Sequence, residues 1–147
     1  MSMLKEYRFS AARKNFTSVF DDVQNSIPSL IKARKQTEGD GVILSRLLLT
    51  EVLEQYEFDI DIRLEDDGYY WSWIKPFNDH AMGKTKKECK RATAIVAQGF
   101  AEDLIDEPFM FQAKSTRTLI PYVLRISLCD NIEDIEQLLF GADHAEI

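Results

Sequence analysis

Apolar residues recur at Phe16, Val19, Phe20, Val23 and Ile27, the i, i+3, i+4, i+7, i+11 spacing of one helical face. Ser10 is placed to cap such a helix, because its hydroxyl can accept a bond from an otherwise unpaired backbone N–H. Asn25-Ser26 ahead of Pro28 predicts the stop. Upstream, Tyr7-Arg8-Phe9 alternates like a short strand. Downstream, SLIKARK and GVILSR are two apolar-bearing runs joined by QTEGDG, which reads as a hairpin loop. LLLTEVLEQY then predicts a second helix. The order is β-α-β-β-α.

The pattern changes after residue 56. Phe58, Ile60, Ile62 and Leu64 alternate with Asp59, Asp61 and Arg63, the signature of a half-buried strand. Glu65-Asp66-Asp67-Gly68 supplies a hairpin turn. The return run YYWSWI sets Tyr69, Trp71 and Trp73 on one face and Tyr70, Ser72 and Ile74 on the other. A face of large aromatics predicts burial beneath a helix; a protein interface or base stacking are the alternatives. Lys75-Pro76 ends the run, and NDHAM predicts a short third strand. Thr85 and Glu88 have capping-box spacing, opening a helix to about Leu104 with Ala92, Ile95, Val96 and Phe100 expected inward. In TLIPYVLRIS, Leu119, Tyr122, Val123 and Ile126 fit helical spacing, yet the run could equally be a strand, so 112–128 stays open. Asp130-Asn131 reads as a cap before IEDIEQLLF, whose Ile132, Ile135 and Leu139 form a stripe.

Charge divides the chain along the same line. The total is −7 over 147 residues, but residues 1–35 hold seven cations and three acids, a net of +4, leaving −11 for the remainder. Such asymmetry suits a first part that meets an anion and a second that meets a cationic partner. The helix predicted from Ser10 would carry Arg13 and Lys14 in its first turn, where the helix dipole opposes a cation. An incoming phosphate would offset that cost; simple solvation of both side chains is the plainer reading. No apolar run approaches a membrane span, and the N-terminus lacks the apolar core of a signal peptide. Cys89 and Cys129 have neither metal-ligand nor redox spacing, so a reduced, cytoplasmic protein is expected.

FSAARKNFTSVFDDV, IPSLIKARK and GVILSRLLLTEVLEQY together resemble the Phd/YefM family of bacterial antitoxins, whose pattern runs Ser-x-x-Arg-x-Asn-apolar, a helix, Pro-x-x-Ile with basic residues, and a strand ending in Ser. Ser10, Arg13, Asn15 and Phe16 match the first block, Pro28, Ile31, Lys32 and Arg34 the second, and Val42 to Ser45 the third. The family often has Thr-Arg after the Ile, where this chain has Lys32-Ala33-Arg34, and the hairpin loop is longer than usual. The resemblance implies a dimerising domain that binds operator DNA near its own gene. Arg8, Ser10, Arg13, Lys14, Asn15, and Lys32 or Arg34 would then contact phosphates or bases, Arg being able to read guanine edges bidentately.

IDIRLEDDGYYWSWIKPF and MGKTKKECKRAT are similar to the HicB-like domain, through Gly68, Tyr69, Pro76, Gly83, Thr85, Glu88 and Cys89. That likeness implies a β-β-β-α unit that binds and neutralises a toxin. The C-terminal acidic stripe could lie in a groove of a basic toxin, or pack on its own sheet.

Candidate catalysis is thin. His80 and His144 are the only histidines, and no Ser-His-Asp order, phosphate loop or zinc cluster is present. Asp59, Asp61, Glu65, Asp66 and Asp67 could be imagined around a metal, but alternation sends Asp59 and Asp61 to the solvated face. The expected protein is therefore α+β, with a Phd/YefM-like unit at 1–56 and a HicB-like unit plus a C-terminal helical extension at 57–147. It would be a non-enzymatic antitoxin without metal or cofactor, partnered by operator DNA, a cognate toxin (plausibly a ribonuclease) and a second copy of itself. The alternative is a protein-interaction module that never meets DNA.

Overall fold

The computed structural model of the chain describes residues 3–141. The chain divides into two compact units with the break between Val52 and Leu53. It is mixed α and β throughout, with a separate three-stranded sheet in each unit.

In the first unit, β1 (Lys5–Arg8) runs into α1 (Phe9–Lys14) and α2 (Phe16–Gln24), followed by β2 (Ser29–Lys32), β3 (Gly41–Ile43) and α3 (Arg46–Leu53). The sheet order is β1-β2-β3. β1 and β2 are parallel, with Tyr7 opposite Ile31 and Arg8 opposite Lys32; β2 and β3 are antiparallel. The helical crossover between β1 and β2 makes their parallel pairing possible. Lys5 Nζ and Tyr7 Oη both reach Asp22 Oδ2, at 3.3 and 3.2 Å, tying β1 to α2.

Three expectations need correction here. The single helix predicted after Ser10 is two helices, because Asn15 leaves helical geometry (φ −114°, ψ 37°) between them. Ser10 is no cap: α1 starts at Phe9, preceded by Arg8 in extended conformation, and no side chain caps it. Arg13 and Lys14 therefore lie in the last turn of α1, where a cation is favoured by the dipole, and the supposed electrostatic cost disappears. The predicted stripe is also only half buried. Val19 and Val23 are in the core, whereas Phe16, Phe20 and Ile27 are each about half exposed. A nine-residue helix on a three-stranded sheet covers only a narrow strip. α2 ends in a Schellman turn, with Ser26 at φ +61° and the Ile27 and Ser26 amides donating to the carbonyls of Asp22 and Val23 at 3.0 Å each. α3 opens on Ser45, whose hydroxyl accepts the Leu48 N–H at 3.0 Å.

The second unit is a meander, β4 (Ile60–Leu64), β5 (Tyr70–Ile74) and β6 (Asp79–Gly83). A 3-10 turn at Lys75–Phe77 links β5 to β6, and a long helix α4 (Lys86–Asp106) follows. Then come α5 (Pro108–Gln112), a 3-10 segment at Lys114–Leu119, α6 (Ile120–Ser127) and α7 (Ile132–Phe140). The open stretch 112–128 is thus helical. Thr85 caps α4 by accepting the Glu88 N–H at 3.1 Å, while Glu88 Oε2 accepts from Lys84 N, one residue before the cap. Asn131 caps α7 in the same manner through Asp134 N, at 2.8 Å.

α4 lies on the sheet face bearing Ile62, Ser72, Ile74, Ala81 and Gly83. Its buried side is Cys89, Lys90, Thr93, Ala94, Ala97, Ala101 and Leu104, so the inward face predicted from Ala92, Ile95, Val96 and Phe100 is rotated. Ile95 is half exposed, and Val96 and Phe100 only flank the core. Small residues on both surfaces permit close approach. At Gly83 an added Cβ would meet the backbone nitrogen of Cys89. α6 and α7 complete the core with Val123, Ile126, Ile135 and Leu139, so the acidic C-terminal stripe packs on its own unit.

The aromatic face also departs from expectation. Trp71 and Trp73 do not lie beneath α4; they share the opposite face with Asp61, Arg63, His80 and Met82. Indoles are too bulky for a helix held this close to the strands, and the Ser72, Ala81, Gly83 side accepts it instead.

Candidate nucleic-acid interface

The parallel register places Arg8 and Lys32 side by side at the C-terminal ends of β1 and β2. From there the chain continues into Phe9-Ser10 on one side and Ala33-Arg34 on the other. These six residues line one open cleft of about 480 Å³. Four residues singled out from sequence, Arg8, Ser10, Lys32 and Arg34, are thereby brought together although two dozen positions separate them in the chain. Arg13, Lys14 and Asn15 do not line this cleft; the two cations are exposed at the end of α1, and Asn15 forms the junction with α2.

Three cations in one cleft repel one another unless counter-charge is near. The β2–β3 loop supplies it. Lys32 Nζ bonds Asp40 Oδ2 at 3.1 Å, and Arg34 Nε bonds both oxygens of Glu38 at 2.9 and 3.1 Å. The Ala33 N–H also donates to Asp40 Oδ1 at 2.8 Å. That amide first, and Lys32 second, hold the Asp40 carboxyl below its ordinary range, and Asp40 in turn raises Lys32. Both pairs are solvent-exposed, so an anion with several oxygens can displace them at little cost. Arg8 has no ion-pair partner among the described residues. It is a cation already free to meet a phosphate.

Sequence reasoning missed Phe9, which it assigned to a strand. The guanidinium of Arg34 sits 5.1 Å from the centre of the Phe9 ring, a cation–π contact that orients Arg34 toward the cleft. No spacing rule gives this contact, because it depends on the β1–β2 pairing. Acids also cluster in the second unit, where Lys75 bonds Asp59 Oδ2 at 2.8 Å and approaches Asp61 at 3.6 Å. Among the described residues, no group of three or more His, Cys, Asp or Glu is arranged to hold a metal ion. His144 lies outside the described residues. No described helix is long and apolar enough to cross a membrane.

Residues 3–141 match the PHD-like family described as "Antitoxin of toxin-antitoxin, RelE / RelB, TA system". The chain belongs to this antitoxin family. One family accounts for both units, since the match runs across the break at Val52. Among solved structures, the antitoxin is similar in fold to an antitoxin part of a candidate toxin–antitoxin system from Syntrophomonas wolfei subsp. wolfei. The two share 20% identity and a TM-score of 0.79, over 93% of this chain and 97% of the other. No curated protein matches the chain. An antitoxin implies a cognate toxin, and that much of the expected partnership holds.

Proposed function

We propose that this antitoxin binds operator DNA through its first unit, as a dimer, and neutralises its toxin by direct contact with the second. The convergence of Arg8, Ser10, Lys32 and Arg34 in one cleft carries the DNA reading. Phosphate oxygens accept from guanidinium, ammonium and hydroxyl donors, and the exposed Asp40 and Glu38 pairs yield readily to a polyanion. Arg13, Lys14 and Asn15 extend the basic surface along α1. Dimerisation is supported by the exposed apolar side chains of the first unit, Phe16, Phe20, Ile27, Val42 and Leu47. A patch of that kind in so small a unit calls for a partner surface, and a second copy would double the phosphate contacts and set the half-site spacing. The Phd/YefM-like reading of residues 1–56 and the HicB-like reading of 57–147 support the same division of labour. The protein acts in the cytoplasm beside its own operon, by binding and without catalysis.

Fluorescence anisotropy with DNA from upstream of its own gene, against scrambled DNA, tests this at about 50 and 200 mM salt. Three cleft cations in each of two protomers neutralise about six phosphates, so affinity should fall by about 10³-fold between the two conditions. A second reading, an interaction module that never meets DNA, is favoured by one observation: Lys32 and Arg34 already hold acidic partners. Absent or sequence-blind, weak binding would establish it.

A further inference from the structure

The sheet face that α4 leaves uncovered carries both tryptophans of the chain. The Trp73 ring stacks on His80 at 5.9 Å with 8° between planes, and Trp71 tilts toward the same imidazole at 5.5 Å. Trp71 is also fixed in plane, since its Nε1–H donates to Asp67 Oδ2 at 3.0 Å while Asp67 Oδ1 accepts the Tyr69 N–H at 2.9 Å. The rings form the floor of an open depression of about 460 Å³, edged by Asp61, Arg63 and Glu65. Trp73 is 43% and Met82 40% exposed. An uncovered pair of indoles, held rigid before anything binds, is the composition of an interface hot spot rather than of a solvated sheet face.

Charge decides what fits. The charged residues that line the depression are Asp61 and Glu65 against Arg63, two acids to one cation, and Asp67 adds a further carboxylate beside Trp71. The carboxylate of Asp61 has only long contacts, 3.6 Å to Lys75 and 3.8 Å to Arg63. Glu65 has no ion-pair partner among the described residues. A nucleic-acid backbone would be repelled here, which removes base stacking as the use of the aromatics. A planar cation is the complementary ligand: it can lie over an indole face while its N–H groups reach a carboxylate edge.

We propose that this face takes an arginine-bearing basic segment of the toxin, the guanidinium stacking on Trp73 or Trp71 and donating to Asp61 or Glu65. The proposal rests on the reading that the second unit contacts the toxin, and it locates that contact. Arginine is preferred to lysine because the guanidinium stacks flat and donates in a fork, whereas the ammonium is a compact, strongly hydrated point charge.

With both tryptophans on this face, intrinsic tryptophan emission reports on it alone. The full chain is titrated with the peptide (Gly-Arg-Arg)4 and, at identical charge, (Gly-Lys-Lys)4, at about 50 mM salt. The expected result is a saturable change in emission, with the arginine peptide about threefold or more tighter. Trp73→Ala should erase that preference, and Glu65→Gln, which keeps both reporters, should weaken both peptides. Circular dichroism confirms that each variant is folded, which the exposure of both side chains predicts. Binding by calorimetry without an emission change, or equal affinity for the two peptides, overturns the proposal. Toxin neutralisation is scored separately, by rescue of growth on co-expression of the toxin. Failed rescue removes the toxin-contact reading and this proposal with it, whereas rescue that is undiminished in Trp73→Ala and Glu65→Gln overturns only the site.

Discussion

Replacing Glu38 by Gln should tighten DNA binding. Glu38 holds Arg34 through two contacts, 2.9 and 3.1 Å from the same Nε, with the Arg34 side chain 59% exposed. Arg34 must leave or share this acid to reach a phosphate. An exposed pair four residues apart biases its equilibrium by about 1.5- to 5-fold, and that factor is the gain expected when the carboxylate becomes a neutral amide of the same length. The gain should be largest at about 50 mM salt and shrink at about 200 mM, where exposed charges are screened. Removing a negative charge also weakens repulsion of DNA directly. The Arg34→Ala background separates the two effects, because only the general field effect survives there. Arg34→Ala, which removes one phosphate contact per protomer, should flatten the slope of log affinity against log salt by about 0.9 in each protomer. Anisotropy across a salt series reads both quantities. Unchanged or weaker binding in Glu38→Gln, with the wild type still selective for its operator, would refute the argument: Arg34 would then lie outside the interface, or Glu38 would be positioning it.

Three further outcomes are expected. Gly83→Ala should cost about 1–3 kcal/mol in urea denaturation, because the new Cβ meets backbone of Cys89 and lies 2.7 Å from the Glu88 carbonyl carbon; an unchanged midpoint would mean that α4 is not held so near β6. Thr93→Val should cost about 1–3 kcal/mol: Thr93 donates to the Cys89 carbonyl and accepts from Ser72, 2.6 Å in each case, so valine leaves the buried Ser72 hydroxyl only the long 3.4 Å bond to the Ala81 carbonyl. Adding Ser72→Ala should recover part of the loss. The Asp40 carboxyl is depressed, so its stabilisation of the β2–β3 loop is fully present above the ordinary aspartate range and is lost as pH falls through its lowered value. The Ala33 amide, which donates to Asp40, should shift in an acid titration by NMR, and Asp40→Asn should abolish that transition.

The local elements were legible in the sequence wherever one short-range rule decided them. Thr85 with Glu88 opened α4, Asn131 opened α7, and Asn25-Ser26-Pro28 closed α2, since caps and turns answer to residues within four positions. Alternation gave the strands of the second sheet, because side chains must point to opposite faces whatever packs on them. The charge division needed nothing more than counting. Sequence also put Arg8, Ser10, Lys32 and Arg34 among the candidate residues, though without showing that they share a cleft.

Faces and partners were settled only in three dimensions. Alternation separated Trp71 and Trp73 from Ser72 and Ile74, but it could not say which set the helix would cover. Size decided that: a helix whose Cys89 backbone comes against Gly83 needs Ser72 and Ala81 beneath it, and the indoles are left outside. The same dependence moved Arg13 and Lys14 from a first turn to a last one, once Asn15 broke the helix. It placed Arg34 over Phe9, through a strand pairing that brings residues 9 and 34 together. Periodicity names the two sides of an element, while the fit of its neighbours chooses between them.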